Sequence, residues 1–407
     1  MSEGASAAGR IPALDFLRGI AVMGILVANL PAFALPEAAY FAPHAWGGTS
    51  TADIAAWFAT YVLVEGKMRG LFSLLFGASM LLVVERAQAS GRNAARVHYR
   101  RMAWLFAIGC LHLYGLWWGD ILAHYALCGA IAYAFVRLPV RGLIGVAVAL
   151  ILWESAQGAW LHAAILDAQA HPDATGRALV TAMEGSFGRP PAQHLAAEIA
   201  AYRGSYAQIF AWRWTVSAAP PTFLPILGPE TLATMLLGMA GLKSGFLTGA
   251  WSPARYRRWA AVTLGIAMPV YVATGLHTIR GGFALADVVF GAVSVAAPMR
   301  NLAVVGYAAL GICALRPGGW LTARIAAAGR AAFSSYLATT LVMTTIFYGY
   351  GLGLFGAVPR AALYLLVPPA WAAMLAWSQP WLAAYRYGPV EWLWRSLARW
   401  RVEKMRR

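Results

Sequence analysis

Charged residues are scarce in this chain, because Asp, Glu, Lys and Arg make up only 12% of its 407 residues. Soluble globular domains carry about 25% charged residues, so the composition argues against a protein whose whole surface faces water. Hydrophobic residues make up 60% of the chain. The composition predicts that most of the surface faces lipid.

Cysteine is also rare, with three residues in the whole chain. Cys110, Cys128 and Cys313 all lie inside apolar stretches, at spacings that match no metal or redox motif. We therefore expect small buried thiols and neither a disulfide nor a metal centre.

Acidic residues are outnumbered two to one, 16 against 32 Lys and Arg, which gives a net charge of +16. Such a charge is typical of nucleic-acid-binding proteins, but here the arginines form short clusters between apolar segments rather than a stripe along one helix. Clusters of this kind are what the positive-inside rule produces in membrane proteins. We expect no nucleic-acid partner.

Long apolar segments divide the chain at regular intervals. A bilayer core of about 30 Å needs about 20 apolar residues in a helix, and ten segments fit that length. The sequence therefore predicts one all-α integral membrane domain, a polytopic bundle of about ten spanning helices, whose first helix is retained rather than cleaved as a signal peptide. The segments are 14–33, 66–86, 102–118, 120–137, 142–165, 221–243, 258–278, 288–314, 331–349 and 361–384.

The distribution of Lys and Arg predicts the orientation. With the N-terminus inside, the predicted cytoplasmic segments hold 23 Lys and Arg and the outer segments hold 6. That asymmetry predicts both termini in the cytoplasm. The cytoplasmic segments are 1–18, 85–101, 137–141, 243–258, 315–330 and 386–407.

The predicted domain has four parts. Residues 1–137 hold the first four helices and the candidate site, and residues 221–385 hold the later helices. Residues 166–215 form an outer loop long enough to be a lid or binding element, and residues 386–407 form a basic cytoplasmic tail. A shorter outer stretch, Asp53 to Val64, is a candidate amphipathic helix at the interface.

Polar residues at the outer ends of the first two spans are candidates for a site. Asn29 must find partners in the bundle, either to join helices or to orient a substrate, and His44 in the next turn is a candidate base or acyl acceptor. Glu65 and Arg69 share a helix face at i, i+4. Together with Lys67 they either bind phosphate or carboxylate or serve as anchors at the interface.

A tight outer hairpin between the third and fourth predicted helices contains a second group. Asp120 is placed to cap the fourth helix, shares a face with His124, and lies one hairpin arm from His112; Tyr125 follows. A carboxylate that orients an imidazole produces a base competent for acyl transfer. A metal site is the weakest interpretation, because the spacing matches no metal motif.

Two ionisable residues lie deep in later spans. Glu230 is in the sixth predicted span and Arg300 is near the middle of the eighth. Neither charge is stable alone in lipid, so we expect the two to pair or to share a polar cavity that contacts substrate.

Several motifs resemble those of YeiB-like bacterial membrane proteins over essentially the whole chain. The resemblance implies a multi-pass protein of the bacterial inner membrane. The motifs are Leu14-Asp15-Phe16-Leu17-Arg18-Gly19, Gly24-Ile25-Leu26 with Asn29, Gly66-Lys67, Leu71-Phe72-Ser73-Leu74-Leu75-Phe76-Gly77, Asp120-Ile121-Leu122 with Tyr125, Gly329-Arg330 with Tyr336, and Gly388-Pro389-Val390-Glu391-Trp392-Leu393-Trp394-Arg395.

This family is similar in turn to transmembrane acyltransferases that include heparan-alpha-glucosaminide N-acetyltransferase. Those proteins share a Leu-Asp-x-x-Arg-Gly helix, an Asn late in that helix and a His in the following outer segment. The resemblance implies acyl-transfer roles for Asn29 and His44. Because the Asn–His interval is longer here, His112 beside Asp120 is the competing imidazole.

Three functions are open at this stage. The first is an acyltransferase that takes an acyl group from acyl-CoA, such as acetyl-CoA, to an acceptor at the outer face. The second is a transporter of a small anionic or lipid-like solute, and the third is a scaffold or sensor. The expected partners are membrane lipids, a small-molecule donor and acceptor, and a second copy of the chain in a homo-oligomer.

Overall fold

The fold is given by a computed structural model that describes residues 11–407. Within that range the secondary structure is helical, apart from turns and one isolated bridge between Tyr385 and Arg406. The helices of the first half are α1 (Pro12–Ala34), α2 (Thr51–Leu63), α3 (Lys67–Ala89), α4 (Ala94–Gly115), α5 (Leu122–Ala132), α6 (Val140–Ala170), α7 (Ala174–Phe187), α8 (Ala192–Tyr202) and α9 (Tyr206–Val216).

The second half continues in the same manner. A five-residue π-helical segment, Phe290–Ser294, separates α12 from α13. The helices are α10 (Leu224–Lys243), α11 (Pro253–Arg280), α12 (Leu285–Val289), α13 (Ala296–Ala314), α14 (Trp320–Arg330), α15 (Ala332–Phe347), α16 (Arg360–Leu363), α17 (Val367–Ala384) and α18 (Pro389–Arg399).

The prediction of an all-α, multi-pass membrane protein is confirmed. Among residues 11–407, seven helical stretches are long and apolar enough to cross a membrane. They are Pro12–Ala34, Thr51–Ala89, Val140–Ala170, Pro220–Lys243, Pro253–Arg280, Ala296–Ala314 and Arg360–Ala384.

Each of the ten predicted segments contains helix, but three regions differ from the sequence prediction. The candidate interfacial helix is α2, which runs almost directly into α3. The predicted loop 315–330 contains α14, which packs against α1 and α17. The outer loop 166–215 consists of the end of α6 and three short helices, α7 to α9.

The centre of the bundle is α1, which packs against α3, α14 and α15. A second set of contacts joins α10 to α3 and α6, and a third joins α11 to α13. Leu17 and Leu30 of α1 are fully buried. Apolar contacts in the interior therefore hold α1 at the position where the candidate site is built.

The break between α2 and α3 is fixed by a contact with another helix. Gly66 adopts φ +66°, in the left-handed region that favours glycine. The guanidinium of Arg300 in α13 occupies the space where a Cβ atom at this position would stand. The packing of the α2–α3 turn against α13 therefore requires a left-handed backbone at residue 66 and no side chain there.

The outer helices α7 to α9 are tied to the turn after α1 through acidic residues. Glu198 of α8 accepts a hydrogen bond from the Glu37 N–H at 3.0 Å, and Ser186 of α7 donates to the Glu37 carboxyl at 2.7 Å. Burial, together with the nearby Glu37, raises the pKa of Glu198 to about 7. The outer helices are therefore held by a contact that responds to pH.

We predict that Glu198→Gln stabilises the protein at pH 8 relative to wild type and has little effect near pH 5. The folded state holds a proton on Glu198 that the unfolded chain releases at lower pH, so this contribution to stability is full in acid and is lost as the pH rises through about 7. Thermal unfolding in detergent at both pH values measures the difference in stability between the variant and the wild type.

The control is Asp167→Asn, at an acid whose side chain is 79% exposed. It should change stability little at either pH. A Glu198→Gln variant that is equally stable relative to wild type at pH 5 and pH 8 would contradict the prediction.

Candidate functional site

A cavity of about 520 Å³ penetrates the bundle from the end where α1 begins and α17 finishes. It lies between α1, α3, α4, α5 and α15, and residues around α18 close one side. Its outermost lining is strongly charged, and its deeper lining is aromatic and aliphatic. The distribution of Lys and Arg predicts that this entrance faces the cytoplasm.

Arginines from five parts of the chain meet at the entrance. Six arginines and two carboxylates line the cavity, so positive charges exceed negative ones by four. Such an excess in a cleft with apolar walls attracts anions. The arginines are Arg18, Arg86, Arg101, Arg330, Arg386 and Arg395.

The two carboxylates at the entrance are already engaged by protein groups. Asp15 forms an ion pair with Arg18 at 3.2 Å. Glu391 of α18 accepts hydrogen bonds from the Phe333 and Ser334 N–H groups at 2.7 and 3.2 Å and from the Ser334 hydroxyl at 2.5 Å. Glu391 therefore fixes the first turn of α15 against α18, and Asp15 pairs within α1 itself.

Aromatic rings accompany the arginines at the entrance. The Arg101 guanidinium lies 4.0 Å from the Trp394 ring centroid, and that of Arg395 lies 4.5 Å from the Tyr387 ring. Cation–π contacts of this kind hold a guanidinium in one orientation while its N–H groups still donate hydrogen bonds. The entrance thus presents oriented hydrogen-bond donors of the guanidinium groups beside the flat faces of aromatic rings.

Two tyrosines line the deep end of the cavity. The Tyr125 hydroxyl lies 3.0 Å from the Arg69 carbonyl oxygen and 2.8 Å from Ser73 Oγ, which orients it toward α3. Tyr336 of α15 is the second, and its ring centroid is 5.2 Å from that of His112. The side chain of Tyr336 therefore lies between the deep end of the cavity and the imidazole of His112.

His112, Asp120 and Thr340 form a chain of hydrogen bonds behind Tyr336. His112 Nδ1 lies 2.8 Å from Asp120 Oδ1, and Nε2 lies 3.0 Å from Thr340 Oγ1. Because an ionised carboxylate only accepts hydrogen bonds, Nδ1 of a neutral ring carries the proton and Nε2 is the basic nitrogen. The arrangement matches the nucleophile–base–carboxylate geometry of acyl-transfer sites.

The local fold explains this geometry. Asp120 Oδ2 accepts a hydrogen bond from the Ala123 N–H at 2.9 Å, so Asp120 caps α5 as expected. The α4–α5 turn is held by Trp117, which stacks on Phe33 with ring centroids 4.0 Å apart. The predicted face shared by Asp120 and His124 is wrong, because Asp120 precedes α5 and binds His112 instead.

Asn29 lies close to this group. It lines a pocket of about 10 Å³, near the size needed for one water molecule. Thr340 and Tyr336 line the same pocket, and Tyr336 also lines the larger cavity. The structure therefore brings Asn29 together with Thr340 and thus with the His112 group.

His44 lies in a different place. Its Nδ1 is 3.3 Å from the Arg189 guanidinium, and its ring packs edge-on against Phe283 at 4.7 Å between centroids. These contacts belong to the outer surface near α7 and α11. The pairing of Asn29 with His44 that the resemblance implies stays a prediction.

Glu230 joins two arginines from other helices. Arg69 of α3 donates to both of its carboxylate oxygens at 3.2 and 3.1 Å, and Arg300 of α13 forms a second ion pair with it. The predicted pairing of Glu230 and Arg300 is confirmed. The predicted pairing of Arg69 with Glu65 is wrong, because α3 begins only at Lys67 and Arg69 turns toward α10.

Lys67 and His124 are also held inside the bundle. The Lys67 ammonium donates to the Tyr61 carbonyl oxygen at 2.8 Å and lies 3.2 Å from the Tyr271 ring centroid. His124 Nε2 lies 3.0 Å from Thr231 Oγ1. Within residues 11–407, no three His, Cys, Asp or Glu side chains group as metal ligands.

Sequence reasoning did not identify Thr340 or the arginines of the entrance as functional residues. Thr340 is 228 positions from His112 in the chain, and no local pattern connects them. In the sequence, the arginines of the entrance belong to clusters between the predicted spans. Those clusters indicate the orientation of the chain in the membrane and do not indicate a binding site. Their convergence depends on how α1, α3, α4, α14 and α18 pack.

We predict that Glu230→Gln destabilises the protein by about 3–5 kcal/mol, because it leaves the buried Arg300 and the half-buried Arg69 without their shared carboxylate. Thermal unfolding in detergent, with size-exclusion chromatography to check dispersity, measures the loss. Glu85→Gln, at an exposed acid of α3, is the control and should be close to neutral. Equal stabilities of the two variants would contradict the assigned network.

Comparisons with known proteins find uncharacterised bacterial relatives. A family model described as a protein of unknown function (DUF418) matches residues 242–401. Uncharacterized protein YeiB of Escherichia coli (strain K12) is 31% identical over 396 residues, which cover 94% of this chain and 95% of that protein. No solved structure was found to match the chain.

Two further relatives come from bacilli. Uncharacterized protein YxaH of Bacillus subtilis (strain 168) is 30% identical over 415 residues, covering 95% of this chain and 94% of that protein. An uncharacterized 39.9 kDa protein in the amylase 3' region of Bacillus acidopullulyticus is 33% identical over 129 residues, 32% of this chain and 35% of that protein.

Proposed function

This chain belongs to the YeiB-like family of bacterial membrane proteins, and we propose that it works as an acyltransferase of the inner membrane. It takes an acyl group from a cytoplasmic acyl-CoA, such as acetyl-CoA, to an acceptor that approaches from the outer face. The single observation that carries the proposal is the cavity that runs from the arginine-lined entrance to Tyr336, behind which His112, Asp120 and Thr340 are hydrogen-bonded in series.

The entrance of the cavity suits the charged part of the donor. Coenzyme A carries a diphosphate and a 3′-phosphate on an adenosine, which together have about four negative charges at neutral pH. The excess of positive charge at the entrance is also four. Arg101 and Arg395 donate to phosphate oxygens in this proposal, and the neighbouring rings of Trp394 and Tyr387 pack against the flat base.

The deep part of the cavity suits the acyl end of the donor. Its lining there includes Phe72, Ile121, Leu122, Tyr125 and Tyr336, which form apolar walls for an acyl chain. A thioester placed among these residues points its carbonyl carbon toward Tyr336, and the small pocket that Asn29 and Thr340 share with apolar side chains adjoins that ring.

The chemistry follows from the tautomer of His112. Nε2 removes the proton from the acceptor hydroxyl or amine, which takes the place of the Thr340 hydroxyl as the hydrogen-bond partner. The acceptor atom then forms a bond to the thioester carbonyl carbon, and the bond from that carbon to sulfur breaks. The thiolate leaves and takes the proton from Nε2, so proton and charge balance.

Two side chains assist this step. Asp120 holds the ring so that Nε2 faces Thr340, and its charge stabilises the imidazolium that forms. The Asn29 amide is a donor for the oxygen that gains charge when the carbonyl is attacked. The transfer step itself can proceed only after Tyr336 moves from its position between the cavity and the imidazole.

A transporter of a small anionic or lipid-like solute is the second candidate. The observation that favours it is a pair of interrupted helices at Arg300: the break at Gly66 and the π-helical segment Phe290–Ser294, whose Ala292 carbonyl oxygen lies 3.4 Å from the guanidinium. Interrupted spans near buried charges are typical of transporters. Solute flux in proteoliposomes that proceeds without acyl transfer would favour this function.

We predict that His112→Gln and Asp120→Asn each lower acyl transfer by about 100-fold or more, because both remove the oriented base. Purified protein in detergent is incubated with radiolabelled acetyl-CoA and envelope extract, and label in the acceptor fraction is counted. Full activity in either variant would refute the assigned base, and absence of transfer and of CoA binding in wild type would refute the function.

The matched control is His171→Gln. His171 forms a similar contact with Asp167, Nδ1 to Oδ1 at 3.2 Å, but the pair lies on the outer surface with the side chains 80% and 79% exposed. This substitution also removes an imidazole paired with an aspartate, and it should leave transfer unchanged. His44→Gln, measured beside it, tests the competing imidazole.

We predict that the double variant Arg101→Gln, Arg395→Gln raises the KM for acetyl-CoA by about tenfold or more, because it removes charged donors to phosphate. The value of kcat should change much less, since neither residue lies at the deep end. Arg92→Gln, at an exposed arginine outside the cavity lining, is the control. An unchanged KM would contradict donor binding at this entrance.

A further inference from the structure

The chain after α17 folds back on itself at the basic end of the bundle. The Arg386 N–H donates to the Met405 carbonyl oxygen at 2.9 Å, and the Trp392 indole donates to the Glu403 carbonyl oxygen at 2.7 Å. The Glu403 N–H in turn donates to Ser396 Oγ at 3.1 Å. Residues 385–407 therefore form one compact unit, called the C-terminal unit below.

Apolar side chains project from this unit, and the residues that the structure describes, 11–407, leave them largely exposed. Trp400 is 74% exposed and Val402 is 76% exposed. Trp400 also adopts φ +54°, the left-handed conformation in which the C-terminal capping residue of a helix often lies. The Trp400 ring and the Val402 side chain are therefore accessible to a partner outside the chain.

Exposed positive charges lie close to Trp400 in the chain. They are Arg399, Arg401, Lys404, Arg406 and Arg407. Glu403, the one acid among residues 399–407, is paired with Arg399 at 3.0 Å. An aromatic ring within a basic cluster is a combination that binds the headgroup region of an anionic membrane.

Two contacts place the unit at the depth of lipid headgroups. The Arg100 guanidinium lies 5.2 Å from the Trp400 ring centroid, and Arg100 is near the point in α4 where the apolar run from Met102 begins. Arg406 forms its bridge with Tyr385, the residue that follows the apolar helix α17. Trp400 therefore lies at the border between hydrocarbon and water.

We infer that the C-terminal unit is a binding surface for anionic phospholipids of the leaflet on the basic side. Trp400 and Val402 enter the headgroup region, and the surrounding Arg and Lys side chains bind the acidic headgroups. The charge complementarity favours this occupant over a second copy of the chain, because a copy would bring an equally basic surface. The inference stands independently of the acyl-transfer proposal.

Lipid binding at this surface acts on the cavity through α18. Glu391, Trp394 and Arg395 of α18 line the entrance of the cavity, and Glu391 also holds the first turn of α15. A lipid that fixes the C-terminal unit at the membrane fixes these side chains as well. The lipid composition is therefore expected to set the fraction of molecules in which the entrance is fully formed.

The test uses the full-length protein in nanodiscs of neutral phosphatidylcholine and in nanodiscs that also contain phosphatidylglycerol. Hydrogen exchange of the amides in 389–407 is followed by mass spectrometry. Exchange should be slower in the acidic discs by about fivefold for each basic residue that binds a headgroup. The difference should disappear at high salt, because screening weakens such contacts.

Two variants identify the surface. Arg401→Gln with Arg406→Gln, and Trp400→Ser with Val402→Ser, should each lose most of the slowing in acidic discs while exchanging like wild type in neutral discs. Arg177→Gln on helix α7 is the control, and this variant should retain the slower exchange in acidic discs. Equal exchange of the wild type in both discs would overturn the inference, as would protection that depends on protein concentration rather than on lipid charge.

Discussion

An ionised side chain without a partner is unstable in hydrocarbon by several kcal/mol, and this constraint organises the whole bundle. Charges either lie at its ends or are compensated inside it. Glu230 of α10 joins Arg69 of α3 and Arg300 of α13, so one carboxylate ties three helices together. The Lys67 ammonium is satisfied by backbone carbonyl oxygens and the Tyr271 ring instead. Packing of α3, α10 and α13 is thus specified by charge as well as by shape.

Asp120 shows how one side chain can serve both the fold and the proposed chemistry. One of its oxygens caps α5 through the Ala123 N–H, and the other holds His112 of α4. The orientation of the imidazole is therefore coupled to the position at which α5 begins. A base held by a helix cap cannot turn freely, and such rigidity is what an acyl-transfer site requires of its supporting residues.

Local patterns made part of this structure predictable. The apolar segments and the capping role of Asp120 follow from short-range spacing, and the pairing of Glu230 with Arg300 follows from charge compensation alone. The partner of Arg69 was not predictable, because the break at Gly66 that redirects it depends on Arg300 from a distant helix. The places of Thr340 and of the entrance arginines in the site were not predictable either, because only the packing of distant helices brings these residues together.

Helix α15 connects the two surfaces on which the proposals rest. Ser334, in its first turn, binds Glu391 of α18; Tyr336, two residues later, lines both cavities; and Thr340 binds His112. Six residues of helix span about 9 Å, so a displacement of α18 reaches the imidazole through one rigid element. In the proposed acyltransferase, Tyr336 would separate a bound thioester from His112 and from water until the acceptor binds. If the proposed acyl transfer takes place, a movement of α15 is the step that would connect the donor cavity with the imidazole of His112.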